Sequence, residues 1–338
     1  MNSRERVLTS FSFQEPDQVP LFEAWIETVI TTAIADGDPY KAREKLGLDC
    51  FPVAVGHPKS TNAWRTGTDE WGRIFKNGIY IDGKVKKKEI LEEYTPDTEY
   101  ADAWFSKEQI RFSKKKYGET HAIYYAFHDA CLGLSYMSMG LKDFFVAVHR
   151  DKEFVNALME RSTEWTIAMI ERACATGADF VMVGDDVAFG TGPMMSPKLF
   201  KELVIPHYKE IVKVCKVPLI WHSDGDIRSL IPMIIDAGFA GIHSLEPNAH
   251  INMGEIKELY GEKIVLAGNL DVSTILTQSD LDLVRKDVER CITQGAPGGG
   301  YLFSSSNSLF SGMCLESILE AYRYAKKFSK EYYDQIKK

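Results

Sequence analysis

At 338 residues with 45% apolar composition, the chain can bury a large core and accommodates either one barrel of ordinary size or two smaller domains. A formal charge of −8, with basic residues gathered only in short stretches such as Lys86 to Lys88 and Lys114 to Lys116, argues against nucleic acid or an anionic membrane as partner. No run of about 18 uncharged apolar residues occurs, Met1 to Phe13 lacks the zones of a secretory signal, and the six scattered cysteines form no C-x-x-C pair; a reduced, cytoplasmic protein is expected.

In chain order, Val19 to Ala24, Cys50 to Val55 and Ala122 to Phe127 read as three strands, with Trp64 to Val85 as a glycine-punctuated β-hairpin excursion between the second and third. A helical pair, Leu134 to Val148 and Glu153 to Thr176, follows. From about residue 178 one unit repeats: a short apolar run, a polar tip, then a helical segment. The runs are Asp179 to Val183, Val217 to Trp221, Ala240 to Leu245, Lys263 to Ala267 and Gly300 to Phe303. The helices are Pro197 to Lys216, Ile227 to Ala237, Asn252 to Tyr260, Asp280 to Thr293 and Leu315 to Tyr332. Ser196-Pro197 supplies a capping serine and a first-turn proline. Five strands plus three make eight, and with no linker the expectation is a single α/β domain over 1–338, a (β/α)8 TIM barrel. Doubly wound open sheets share the alternation, so the tips must help decide.

In such a barrel, catalytic groups come from the C-terminal ends of the strands. The tips are Gly184-Asp185-Asp186, His222-Ser223-Asp224-Gly225-Asp226, Glu246-Pro247, Gly268-Asn269-Leu270-Asp271 and Ser304-Ser305-Ser306-Asn307. Each alone is what loops use to cap helices, and for a single residue such as Asp185 or Asn269 the cap or turn reading leads. Five polar tips on one rim form a ring. In Trp221-His222-Ser223-Asp224-Gly225, residues i and i+2 point the same way, so His222 and Asp224 converge if the strand stays extended. With Glu246 they could form a three-ligand divalent site; a His–Asp hydrogen bond that sets a proton-transfer histidine and a bland core histidine are the competing readings. Asp224 reads equally as a helix cap. Among the other histidines, His207 lies in a helical run and His149 ends one, where a cation suits the dipole. His128, beside Asp129 at the third strand's end, is better placed, and Trp25 ends the first strand near Glu23. For both, packing competes with a role in the pocket.

Arg6-Val7-Leu8, Glu15-Pro16-Asp17-Gln18-Val19-Pro20, Gly184-Asp185-Asp186 leading to Ser196-Pro197, Val204-Ile205-Pro206, Pro218 to Gly225, Gly268-Asn269-Leu270-Asp271 and Gly298-Gly299-Gly300-Tyr301 together resemble the uroporphyrinogen decarboxylase superfamily over nearly the full length. The resemblance implies a (β/α)8 barrel of that type. It is nearest to the branch of zinc methyltransferases that work with corrinoid proteins. True decarboxylases carry an arginine-rich motif after the first strand, whereas Leu21 to Glu27 has two carboxylates and no arginine, which disfavours a highly anionic tetrapyrrole. The methyltransferases carry H-x-C at the fifth strand and a later cysteine near the eighth, and methionine synthases add a glutamate after the sixth. His222 matches the histidine and Glu246 falls where that glutamate is expected, but Asp224 stands for the cysteine and Ser304 to Asn307 replace the last thiolate.

The resemblance thus implies a methyltransferase that moves a methyl group from a small donor, with an aromatic methyl ether as candidate, to the cobalamin of a separate corrinoid protein. His222, Asp224 and Glu246 are the expected zinc ligands, with Asp186 beside them as a catalytic group. Trp25, His128, Asp185, Asn269, Tyr301 and Asn307 are the expected substrate contacts. Two alternatives stand: a metal-free decarboxylase of a small carboxylate, with His222 and Asp186 handling protons and Arg73 as the cationic anchor, and a non-catalytic barrel that binds a small ligand.

Overall fold

The structure, a computed structural model, describes residues 1–54 and 66–336. Seven strands, Cys50–Pro52, Ala122–Phe127, Phe180–Gly184, Leu219–Ser223, Gly241–Ser244, Val265–Leu270 and Tyr301–Ser305, lie side by side in chain order. All the pairings are parallel. The eighth member, expected over Val19 to Ala24, closes the ring with little ladder of its own. Leu21 bridges Phe303, the Phe22 N–H donates to the Phe303 carbonyl and the Phe303 N–H to that of Pro20, both at 2.9 Å, and on the other side the Asp49 N–H donates to the Leu21 carbonyl at 2.8 Å. Its brevity has a local cause: Pro20 has no N–H to contribute, and the Leu21 N–H is taken by the Asp49 side chain at 2.8 Å.

The inside of the barrel follows the two-residue period of its strands. Phe22, Ala24, Ala122, Tyr124, Phe180, Met182, Ile220, Val265, Ala267 and Leu302 form one inner cluster, closed at one end by Val7 of the helix Ser3–Phe11. The intervening residues, among them Val181, Val183, Leu219, Trp221, Ile242, Leu266 and Phe303, pack outward against the helices. Continuing the inward period toward the strand ends leads from Ile220 to His222, from Met182 to Gly184 and Asp186, from Tyr124 to His128, and from Leu302 to Ser304. The mouth of the barrel is therefore polar because its apolar rows end in these residues.

Several expected boundaries shift. Four strands reach one to three residues further at their C-terminal ends than the apolar runs suggest, to Gly184, Ser223, Leu270 and Ser305, so His222 and Ser223 belong to the ladder, with His222 opposite Gly184 and His243. The run Ala240 to Leu245 instead ends one residue earlier, at Ser244, and the run Cys50 to Val55 is in the ladder over Cys50–Pro52, with Val55 outside the described residues. The expected helix Pro197 to Lys216 is two, Pro197–Leu203 and Ile205–Val214, with Pro206 in the first turn of the second. The expected helix from Leu134 to Val148 is also two, Cys131–Met139 and Leu141–Arg150, bent by 101° at Gly140. No single helix among the described residues is long and apolar enough to cross a membrane.

The excursion is a three-stranded antiparallel sheet, Thr66–Thr68, Arg73–Lys76 and Ile79–Gly83; Trp64, the expected start, lies outside the described residues. Asn77 and Gly78 both take positive φ (53° and 80°), as a type I′ hairpin turn requires. Arg73 of this sheet pairs with Asp69 at 2.6 Å and with Asp129, which anchors the excursion to the barrel mouth.

Candidate functional site

A cavity of about 780 Å³ opens at the C-terminal ends of the strands. One wall is aromatic, with Trp25, Trp104, Tyr124, Tyr125 and Phe127. The other is polar, with His128, Asp186, His222, Asp224 and Asn307. Trp25 packs edgewise on both histidines, its ring centroid 5.1 Å from His222 and 5.6 Å from His128.

The polar residues converge. Nε2 of His222 lies 3.8 Å from Asp186 Oδ1 and 3.6 Å from Asp224 Oδ1, and Nε2 of His128 lies 3.6 Å from Asp186 Oδ2. His128, Asp186 and His222 each offer one donor atom within 4.8 Å of the others. The backbone allows this only because Gly184 has no side chain: a Cβ there would stand 2.5 Å from the His128 ring. Gly225 (φ +84°) makes the next turn, where a Cβ would lie 2.7 Å from the Ala188 carbonyl. Asp224 accepts from Ser244 Oγ at 3.1 Å and Asn307 Nδ2 at 2.6 Å. It caps no helix, since the following helix begins at Ile231.

A buried chain of hydrogen bonds sets the tautomer of His222. Ser304 Oγ donates to the Ser305 carbonyl at 3.1 Å, so it receives the Nε2–H of His243 at 3.0 Å. Neutral His243 then has a bare Nδ1, which accepts from His222 Nδ1–H at 2.7 Å. His222 is thereby left with an unprotonated Nε2 directed at two carboxylates. Both rings are kept neutral by burial, which pushes His222 down to about 3 and His243 well below the ordinary histidine range.

His128 is set oppositely. Loss of hydration on the crowded rim disfavours the imidazolium. The Asp186 carboxylate and a 2.9 Å hydrogen bond from His128 Nδ1 to Asp129 outweigh that effect and push His128 up to about 10. Burial and the neighbouring Asp186 charge push Asp224 up to about 6.

This donor set fits a divalent ion. Tetrahedral zinc with bonds of about 2.0–2.1 Å spaces its ligands about 3.3 Å apart, so the observed separations need to close by only a few tenths of an ångström to an ångström or so. Each histidine has its other ring nitrogen engaged, His128 by Asp129 and His222 by His243, as metal-binding imidazoles require. A bare nitrogen aimed at two carboxylate oxygens is also an arrangement that a cation between them stabilises.

Of the residues singled out from sequence, Trp25, His128, Asp186, His222, Asp224 and Asn307 line the cavity. The other four stand behind it. Asp185 is fully buried and accepts from Leu132 N (3.1 Å), Gly133 N (2.5 Å) and Tyr208 Oη (2.8 Å), capping the helix Cys131–Met139; burial raises it to about 7. Glu246 accepts from the Gly225 N–H at 2.7 Å and so braces the turn that carries Asp224. Asn269 donates to the Leu245 carbonyl at 2.8 Å, and Tyr301 to the Gly268 carbonyl at 2.6 Å. Arg73 does not line the cavity; it is buried against Asp69 and Asp129.

Sequence reasoning missed His243 and Arg43. A signal for His243 was present: Trp221-His222-Ser223 and Ile242-His243-Ser244 are matching strand ends, and the two histidines pair in register. Arg43 lies on a helix, Pro39–Leu46, and so belongs to none of the polar tips that the strand pattern picks out.

The sequence pattern of the family described as Uroporphyrinogen decarboxylase (URO-D) matches residues 75–328. In sequence the chain is similar to a methylated-thiol–coenzyme M methyltransferase of Methanosarcina mazei, 23% identical over 186 residues, 55% of this chain and 48% of that protein. It is also similar to a uroporphyrinogen decarboxylase of Trichlorobacter lovleyi, 23% identical over 248 residues, 70% of this chain and 68% of that one. The chain thus spans about half the length of the first of these relatives. In structure it resembles a methyltransferase from Methanosarcina mazei, with a TM-score of 0.78 at 16% identity over 97% of this chain and 99% of the other. It also resembles a B12-independent methionine synthase from Shewanella sp. W3-18-1, with a TM-score of 0.54 at 11% identity over 96% of each. With three quarters of its length matched by that pattern and the fold agreeing, the chain belongs to the uroporphyrinogen decarboxylase (URO-D) family.

Proposed function

We propose that this chain is a methyltransferase that takes a methyl group from a small oxygen-bound donor, with an aromatic methyl ether as the leading candidate, and passes it to a separate corrinoid protein. The observation that carries this reading is the convergence of His222 Nε2, Asp186 and His128 at the polar end of an aromatic-walled cavity. The similarity to a methylated-thiol–coenzyme M methyltransferase supports the reaction class.

His128, Asp186 and His222 would hold zinc, with Asp224 as a further oxygen donor 3.6 Å from His222 Nε2. Bound there, zinc supplies Lewis acidity, and imidazole and carboxylate ligands leave it harder than thiolates do, which suits an oxygen-bound donor. In the transfer the methyl group leaves without the bonding electrons, so negative charge develops on the donor oxygen, and the site stabilises that charge. Asn307, whose Nδ2 donates one hydrogen to Asp224, orients the oxygen with the other, Trp25 and the aromatic wall hold the ring, and Glu246 keeps the Asp224–Gly225 turn in place. Asp185, Asn269 and Tyr301 support the site from behind. A cobalamin-bearing partner is the acceptor.

Elemental analysis of the purified protein beside a His222→Ala variant prepared identically tests the centre: about one zinc per chain, lost in the variant, is expected. Methylation of a reduced corrinoid protein from a methyl ether, dependent on the loaded wild type, tests the reaction. A wild type that takes up no metal when zinc is supplied overturns the zinc reading. The second reading, a metal-free decarboxylase of a small carboxylate, is favoured by the uroporphyrinogen decarboxylases among the relatives; release of carbon dioxide without zinc would establish it.

A further inference from the structure

At the aromatic side of the cavity sits a cation that the mechanism above does not use. Arg43 lines the cavity, yet only 3% of it is exposed. Its guanidinium donates from Nη1 to the Pro39 carbonyl at 3.0 Å, and from Nη2 to the Ala24 carbonyl at 3.3 Å and Tyr124 Oη at 3.2 Å. All three acceptors are neutral. Among the described residues Nε has no partner, and with five N–H groups on a guanidinium a second, on Nη1, is also uncommitted. No carboxylate among the described residues forms an ion pair with it. Glu23, the carboxylate that feels its charge, is bound to Ser305 and Tyr322 instead.

A buried cation without a counter-ion is costly, and buried arginines are ordinarily paired with an anion. Arg43 is joined to the polar end of the cavity by one residue: Ala24 accepts its hydrogen bond, and the next side chain, Trp25, packs on His222 and His128. Cation and histidine cluster therefore face the same volume from two sides of an aromatic wall.

We propose that Arg43 is the anchor for a carboxylate on the methyl donor, so that the substrate class is an aromatic acid carrying a methyl ether. The acid group binds Arg43 and the ring lies along Trp25 and Tyr124. The ether then points to His128, Asp186 and His222. The chemistry named here rests on the methyltransferase reading, whereas the binding does not.

Equilibrium binding separates the two. Trp25 and Trp104 line the cavity, so quenching of intrinsic fluorescence reports occupancy by 3-methoxybenzoate and by its neutral isostere 3-methoxybenzamide. The wild type is expected to prefer the acid by about tenfold or more. That preference should vanish in Arg43→Gln and be partly kept in Arg43→Lys. Equal affinity for acid and amide in the wild type overturns the proposal, a comparison that needs no variant to fold. So does binding of neither probe, or a preference that survives in Arg43→Gln. A preserved acid preference with no methyl transfer to a reduced corrinoid protein overturns the methyltransferase reading and leaves the anchor standing.

Discussion

Replacing His243 with leucine removes the acceptor that holds His222 in its tautomer while leaving the cavity surface untouched, because His243 is fully buried behind His222. The variant leaves His222 Nδ1–H without a partner in the barrel interior, which costs about 1–3 kcal/mol. Part of that cost is relieved when the ring rotates or changes tautomer, and either change takes the bare Nε2 away from Asp186. Partners behind metal-binding histidines are worth about 10–100-fold in metal affinity, or about 1.4–2.8 kcal/mol at 1.4 kcal/mol per factor of ten. Competition against a chromophoric chelator measures zinc affinity directly. His243→Leu should weaken zinc by that factor, and His243→Gln, whose side-chain oxygen can accept from Nδ1–H, should restore part of it. A folded His243→Leu protein that binds zinc as tightly as the wild type would refute the reasoning, since His222 would then need no partner to present its nitrogen.

Gly184→Ala tests the close approach of His128: with the added methyl 2.5 Å from the ring, His128 must move. The expected result is a loss of about 1–3 kcal/mol in urea denaturation, typical of overpacking, together with weaker zinc binding. An unchanged site would show that His128 is not held there. Glu23→Gln tests a buried carboxyl outside the metal cluster. Burial raises Glu23 from 4.5 to about 7 in the folded chain, against its hydrogen bonds from Ser305 and Tyr322. The folded state therefore binds the proton more tightly, and Glu23 contributes stability that is complete below about pH 4.5 and lost as pH rises through about 7. At 1.36 kcal/mol per unit, the stability of the wild type relative to Glu23→Gln should fall by about 3 kcal/mol between those pH values. Parallel pH profiles for the two proteins would contradict this.

Much of the architecture is local in origin and was legible without coordinates. Apolar runs of strand length separated by helical periodicity specify parallel strands covered by helices, and the residues ending those runs, Asp186, His222, Asp224 and Asn307, do line the mouth. Four strand ends were read one to three residues short, among them that of Leu219–Ser223, because His222 and Ser223 look like loop residues. They remain in the ladder because their backbone groups pair with the neighbouring strands. The weak first strand was overcalled, since hydrophobicity does not reveal that Asp49 captures the Leu21 N–H.

Sequence alone determined the alternation of elements, the polar ring at the strand ends and the family, because each depends on a residue's type and its near neighbours. It also determined which residues of one strand share a face. Only the tertiary structure decided which members of the ring meet. The height of a side chain in a barrel depends on the register between strands, and register brings His222 beside His243 and opposite Gly184, where the missing side chain admits His128. Glu246, equally well placed in sequence, turns to the Gly225 N–H because the loop conformation puts that donor nearer. Arg43 enters the cavity from a helix, a position that no strand pattern encodes.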